Sequence, residues 1–196
     1  MGTGKSRERR HAVRFYGDDK SLFKTVGAFL SEGLVAQEPV IVIATPEHQR
    51  GILEELTART IDVDGARRLG DIVVLDADET LALFMTPDGP DTHLFEQYVG
   101  RTIDQAVRGH RQSVVRAYGE MVDRLWRAGD TDGAVQVEIL WNQLASRYAF
   151  SLLCGYAMGH FYKQPDQLER VCRQHTDVLG SDSNVIPFTA RRRAST

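Results

Sequence analysis

The chain has 196 residues and a formal net charge of −3, with 42% hydrophobic and 26% charged residues. That is enough for a single soluble domain with its own core, and the charge gives no general attraction to nucleic acid or an anionic membrane. Two cysteines, Cys154 and Cys172, are too few for a disulfide framework, no apolar run reaches the roughly 20 residues of a membrane span, and no signal peptide is visible, so a cytoplasmic setting is expected.

Residues 1–10 are polar and predicted to be a disordered N-terminus. They contain Gly4-Lys5-Ser6, but the strand and the glycine that a P-loop requires ahead of it, with four residues between, are not there. Ala12–Tyr16 reads as the first strand, followed by a helix capped at Asp18 or Asp19 and lined by Leu22, Val26, Phe29 and Leu30. Val40–Ala44 is a continuous apolar strand, as in a sheet covered on both faces. Thr45-Pro46-Glu47 then starts a helix with its buried stripe at Ile52, Leu53 and Leu56. Ile72–Leu75 is a third strand, with a short helix near Asp78. Thr86–Thr92 reads as a surface loop, and Leu94–Val107 as a helix.

Ser113–Trp126 is the most informative stretch. A β-branched strand holding Arg116 runs into the turn Tyr118-Gly119-Glu120, and Val122, Leu125 and Trp126 then recur at helical spacing. Gly133–Tyr148 is a regular helix, Ala149–Cys154 a further strand, and Leu168, Val171, Cys172 and His175 one face of a last helix. Periodicity is lost from Gly180, so residues 11–180 form the expected single domain and residues 181–196, with Arg191–Arg193, a flexible tail. Strands alternating with helices predict an α/β fold with a mainly parallel central sheet and helices on both faces.

Ligands of such sheets bind beyond the carboxyl ends of the strands. The first of these turns, Tyr16-Gly17-Asp18-Asp19-Lys20-Ser21, is too short to wrap a phosphate and places two aspartates at the helix end that a phosphate would need. Arg116, Glu120 and Glu138 form the strongest charged set. The arginine holds a ligand anion with the acids orienting it, or it pairs with Glu120 or Glu138 to fix the sheet to a helix, and both can hold together. Trp141 lies on an apolar stripe, which favours core packing over stacking on a ligand. Cys172 and His175 are spaced to share a metal, but two ligands do not make a zinc site and no third is evident among Cys154, His160, His11 and His48. No metal, cofactor or catalytic residue is expected. Tyr16, Tyr118, Glu120 and Tyr156 are expected to line one pocket at the carboxyl edge of the sheet, with Trp141 nearby; aromatic walls suit a small, mostly apolar ligand better than a phosphate.

H-A-V-R-F-Y-G-D-D, E-G-L-V-A-Q-E-P-V-I-V-I-A-T-P-E-H, V-R-A-Y-G-E-M-V-D-R-L-W, V-E-I-L-W-N-Q-L, L-L-C-G-Y and V-C-R-Q-H-T-D-V, in this order, resemble the MEDS domain, a methanogen/methylotroph sensory domain first defined in a dichloromethane-responsive repressor. The resemblance runs from about His11 to Ser183. It implies a RecA-like sheet and the sensing of small molecules such as hydrocarbon derivatives in signal transduction or transcriptional regulation; the residues of the first turn argue against a functional P-loop, and no enzymatic activity is expected. Neither a kinase nor a helix-turn-helix is legible, so the output is expected to pass through a kinase or other regulatory partner, with a homo-oligomer as a further possibility. Two other classes stay open: a protein-interaction regulator of a kinase or sigma-factor pathway without its own ligand, and a degenerate RecA-like nucleotide-binding protein. A polar, filled strand-end cleft would favour the interaction module, and an apolar pocket a sensor.

Overall fold

A computed structural model describes residues 10–110, 114–161, 165–179 and 185–187. Gly4-Lys5-Ser6, Ser113, the N-terminal segment before Arg10 and the basic end of the tail lie outside the described residues. The elements run β1 (His11–Tyr16), α1 (Asp19–Val35), β2 (Val40–Ala44), α2 (Pro46–Ala58), α3 (Val63–Leu69), β3 (Ile72–Asp76), α4 (Ala77–Ala82), β4 (Met85–Thr86), β5 (Gly89–Pro90), α5 (Thr92–Phe95), a π turn (Glu96–Gly100) and α6 (Arg101–Val107). They continue with β6 (Val115–Gly119), α7 (Met121–Arg127), α8 (Thr131–Leu144), β7 (Phe150–Ala157), a 3₁₀ turn (Met158–His160), α9 (Pro165–Cys172), β8 (Asp177–Leu179) and β9 (Val185–Pro187).

The central sheet has the order β3-β2-β6-β7-β1-β8-β9. Its first six strands are parallel and β9 closes the edge antiparallel to β8. Each of the five residues of β2, Val-Ile-Val-Ile-Ala, is buried, because helices cover both sides of the sheet. Tyr16, Leu22, Val26, Leu30, Val42, Ile52, Leu56 and Tyr118 form one core between the sheet and α1 and α2. Ile41, Ile43, Phe95, Ile103, Val122, Leu140, Trp141 and Tyr156 form the larger core on the opposite face. Five helices start at an aspartate whose carboxylate accepts from the N–H three residues on: Asp18, Asp62, Asp76, Asp91 and Asp130. Each such cap stabilises its helix by about 1 kcal/mol.

The α/β class and parallel sheet follow the sequence pattern, and the differences have local causes. Helix α3 is a two-turn segment between Asp62 and Gly70, whose φ of 83° closes the helix in the left-handed region; none of its residues is buried, so it shows no apolar stripe in sequence. The 86–92 segment is a small hairpin, β4–β5, and not a plain loop. The Leu94–Val107 helix is interrupted by the π turn at Glu96–Gly100. Strands β8 and β9 are three residues each, too short to show an alternation.

Candidate functional site

The sheet has a topological switch point between β2 and β6. From β2 the chain crosses to β3 through α2 on one face; from β6 it crosses to β7 through α7 and α8 on the other. Such a divergence opens a crevice at the carboxyl ends of the two strands, and Glu120 stands in it. Its carboxylate is 2% exposed. Oε1 accepts from the Thr45 backbone N–H at 2.6 Å, and Oε2 accepts from His48 Nδ1 at 2.6 Å and the Tyr118 hydroxyl at 3.1 Å. The Thr45 side chain makes no cap hydrogen bond, so the start of α2 is tied down by Glu120 from the neighbouring strand.

A second carboxylate, Asp123, completes the polar filling one turn along α7. It accepts from the Ala157 N–H at 2.9 Å, from Arg127 Nε at 2.7 Å and from the Tyr16 hydroxyl at 3.4 Å. Arg127 Nη2 in turn donates to Tyr16 at 3.2 Å. Burial first, then Asp123, pushes the Tyr16 hydroxyl far above its ordinary pKa, and burial followed by Glu120 does the same to Tyr118. The crevice is therefore occupied by its own side chains. Gly155 on β7 is required here: a Cβ would lie 2.6 Å from the Tyr118 hydroxyl and drive it off Glu120.

His48 carries the pH dependence of this network. Burial alone would lower its pKa, but the hydrogen bond to Glu120, that carboxylate's charge and Asp19, 3.5 Å from Nε2, together raise it above 6.5. A histidine raised on folding contributes stability that is full below its unfolded pKa and lost as pH rises through the folded value. His48→Gln is expected to destabilise the protein most in mildly acidic buffer, with the difference from wild type shrinking as pH rises above 6.5. Urea unfolding of both proteins across that range measures it; parallel stability curves would count against the assignment.

The opposite face of the sheet holds a different kind of space. A cavity of about 110 Å³ lies between β2, β3, α4, the π turn and α8, walled by Ile41, Ile43, Leu75, Val99, Ile103 and Trp141. Thr80, Thr102 and Tyr98 add hydroxyl-bearing side chains, and Leu83 stands with them at its lining. π turns occur often at functional sites, because the extra residue bulges the helix away from its neighbour; here the bulge supplies Tyr98 and Val99 to the wall.

Residues 10–176 match the family described as the methanogen/methylotroph, DcmR sensory domain, MEDS. The chain belongs to the MEDS family. Membership gives it a sensory, regulatory role. A KaiC-like protein, PH0186, from the hyperthermophilic archaeon Pyrococcus horikoshii OT3 is similar in structure, with a TM-score of 0.56 and 14% identity over 85% of this chain and 70% of that one. At that identity the likeness establishes the fold, which is RecA-like. No curated protein sequence matches the chain.

In this MEDS domain the residues singled out in sequence fall into four places. Tyr16, Tyr118 and Glu120 share the switch-point crevice, where they are held by hydrogen bonds within the protein. Tyr156 does not join them. Tyr118 stands opposite Leu153 in the sheet register, so Tyr156, an odd number of residues further along β7, faces the other core. There its hydroxyl donates to Glu138 at 2.9 Å. Arg116 binds neither Glu120 nor Glu138. It points to the α1 face, where Nε donates to Glu38 at 2.7 Å and Nη1 to Glu32 at 3.1 Å and to the Phe29 carbonyl at 3.0 Å. The expectation was wrong because the two residues lie at opposite ends of one strand: Glu120 is at the carboxyl end of β6, while Arg116 is near its start, level with Val40. Trp141 packs edge-on against Phe95, with Phe150 beside it, and also walls the apolar cavity.

His48, Asp123 and Arg127 were not assigned to the crevice from sequence, although a signal existed. His48 is in the first turn of the helix that leaves the carboxyl end of β2, the position from which side chains reach a strand-end crevice. Asp123 and Arg127 are an i, i+4 pair on the helix after β6.

Proposed function

We propose that this MEDS domain senses a small, mostly apolar molecule held in the cavity beneath the π turn, and passes the signal to a partner protein. The observation that carries the proposal is the cavity itself: seven apolar side chains and a few hydroxyls around about 110 Å³. A dry cavity of about 150 Å³ accepts benzene or xenon, so this volume suits a ligand of roughly three to five heavy atoms. Such a molecule is the size of a halogenated or oxygenated hydrocarbon, the class that the family resemblance implies. Leu83 and Tyr98 line the cavity and are also 45% and 37% exposed, so occupancy alters a surface that a kinase or other regulator can contact.

The strand-end crevice is polar and filled by its own hydrogen bonds, which by itself favours an interaction module and gives the crevice a structural role; the apolar cavity on the other face is what supports the sensor reading. Nucleotide chemistry has no support at the first strand–helix turn either. Asp18 caps α1 through Ser21 N at 2.8 Å, occupying the helix end at which a phosphate would dock. We therefore propose no enzymatic activity and no nucleotide cofactor.

The test is a thermal-shift and calorimetric titration with dichloromethane and short-chain alcohols, alongside ATP. Dichloromethane at millimolar concentration is expected to stabilise the wild type, and Val99→Phe, which fills the cavity, is expected to abolish that stabilisation while leaving a folded protein. Equal stabilisation of both proteins, or stabilisation by ATP alone, would overturn the assignment.

A further inference from the structure

On the core face away from the crevice, four side chains that the sequence scatters across the chain converge without solvent. His11 begins β1, Glu138 is in the middle of α8, Cys154 is on β7 and His175 follows α9. Each is buried, and the Glu138 carboxylate is 0% exposed. His11 Nε2 is 3.0 Å from Glu138 Oε2 and 3.4 Å from Cys154 Sγ; Cys154 Sγ is 3.4 Å from the same oxygen; His175 Nε2 is 3.3 Å from Oε1. One ligand atom from each residue lies within 4.8 Å of all the others.

The protonation of both imidazoles is fixed from outside the cluster. Asn142 Nδ2 donates to the Gln174 carbonyl at 3.0 Å, which turns its Oδ1 toward His11, and His11 Nδ1 donates to that oxygen at 2.8 Å. His175 Nδ1 donates to the Val171 carbonyl at 2.8 Å. In the neutral tautomers, both Nε2 lone pairs then point at a carboxylate that is itself only an acceptor. His175 Nε2 makes no hydrogen bond. Something positive must sit between these atoms. One proton balances the carboxylate but leaves the other Nε2 lone pair facing it, and two protons leave two imidazoliums against one carboxylate, a net charge of +1 with no solvent to share it. A divalent metal bound by a thiolate, a carboxylate and two neutral imidazoles leaves no net charge.

We propose that His11, Glu138, Cys154 and His175 bind a divalent transition metal of zinc type. Nitrogen, sulfur and oxygen donors in a compact set of four are what tetrahedral zinc takes, and each histidine has the outer hydrogen bond that metal-bound imidazoles keep. Zinc–ligand bonds of about 2.0–2.3 Å place tetrahedral donors about 3.3–3.8 Å apart, so closing on a metal asks for shifts on the order of 1 Å or less, outward for the pair at 3.0 Å and inward for any approaching 4.8 Å. Burial, and then Glu138, holds the Cys154 thiol well above its ordinary pKa while no cation is near, but a coordinated metal removes that proton outright. The binding step releases one proton from Cys154 and changes no oxidation state. Cys172, buried nearby in sequence, takes no part in the set.

The test uses the full untagged chain, with zinc measured by mass spectrometry after dialysis and cobalt(II) as the spectroscopic probe. One zinc per chain is expected, and cobalt should give tetrahedral d–d absorption with a thiolate-to-cobalt band. Cys154→Ser should remove the thiolate band, while Cys172→Ser should leave it intact. His175→Gln should weaken zinc binding at least about 100-fold, beyond the 10–100-fold of a lost outer partner, which Asn142→Ala should show. A folded wild type that takes up neither metal stoichiometrically, or a thiolate band that survives in C154S, would overturn the proposal. If the variants do not fold, the wild-type cobalt spectrum alone decides between the outcomes.

Discussion

Glu120→Ala is expected to cost about 3–5 kcal/mol of folding stability, the penalty for breaking a buried, charge-assisted network at its centre. The carboxylate takes three donors from three segments: the Thr45 N–H after β2, His48 on α2 and Tyr118 on β6. Alanine leaves all of them without an acceptor. For a chain of this size the loss corresponds to a fall in Tm of roughly 10 °C. Glu120→Gln should lie between the two, because the amide oxygen replaces one acceptor while its NH₂ faces the remaining donors. Chemical denaturation gives the number directly. A cost below about 1 kcal/mol for the alanine variant would mean that water replaces the carboxylate, and the crevice would then be open to ligands after all.

How far the sequence reaches is visible in these residues. Strand and helix identity follow from period and capping: β2 is an unbroken apolar run, and the aspartates at the helix starts are N-caps in the structure. Glu120 could be placed at a strand end because strand ends are local. Register is not local. Whether Tyr156 faces Tyr118 or turns away depends on which residue of β7 pairs with which of β6, and a shift of one position reverses the face. Sheet order is similarly hidden, and it is sheet order that makes β2 and β6 neighbours and puts Arg116 beside Pro39 and Glu38. The His–Glu–Cys–His cluster combines both obstacles. His11 and His175 are 164 positions apart in number, and they meet because β1 receives β8 on one side and β7 on the other. The spacing of Cys172 and His175 would let both reach one metal, but no third ligand was legible beside them; the end of α9 turns His175 inward, its ring 4.2 Å from that of His11.

Glu138→Ala should be the more damaging of the two acid substitutions, at about 5 kcal/mol, because the carboxylate is wholly enclosed and a cavity is added to the lost interactions. Burial would by itself raise the pKa of this acid, yet His175 and His11 outweigh it and lower it below the usual carboxylate range. Removing it leaves the Tyr156 hydroxyl without its acceptor and brings two imidazoles and a thiol together with no anion between them. His175→Ala alone should cost less, and the two changes together should cost less than their sum, since the charge that each balances is already gone. Coupling of about 1–3 kcal/mol is expected for residues in one such network. An exposed acid such as Glu169, paired with Arg173 one turn away on the surface, is the control and should change stability by less than about 0.5 kcal/mol on substitution. Additivity within error between Glu138→Ala and His175→Ala would show that the cluster is four independent buried groups, and the case for a shared cation would fall with it.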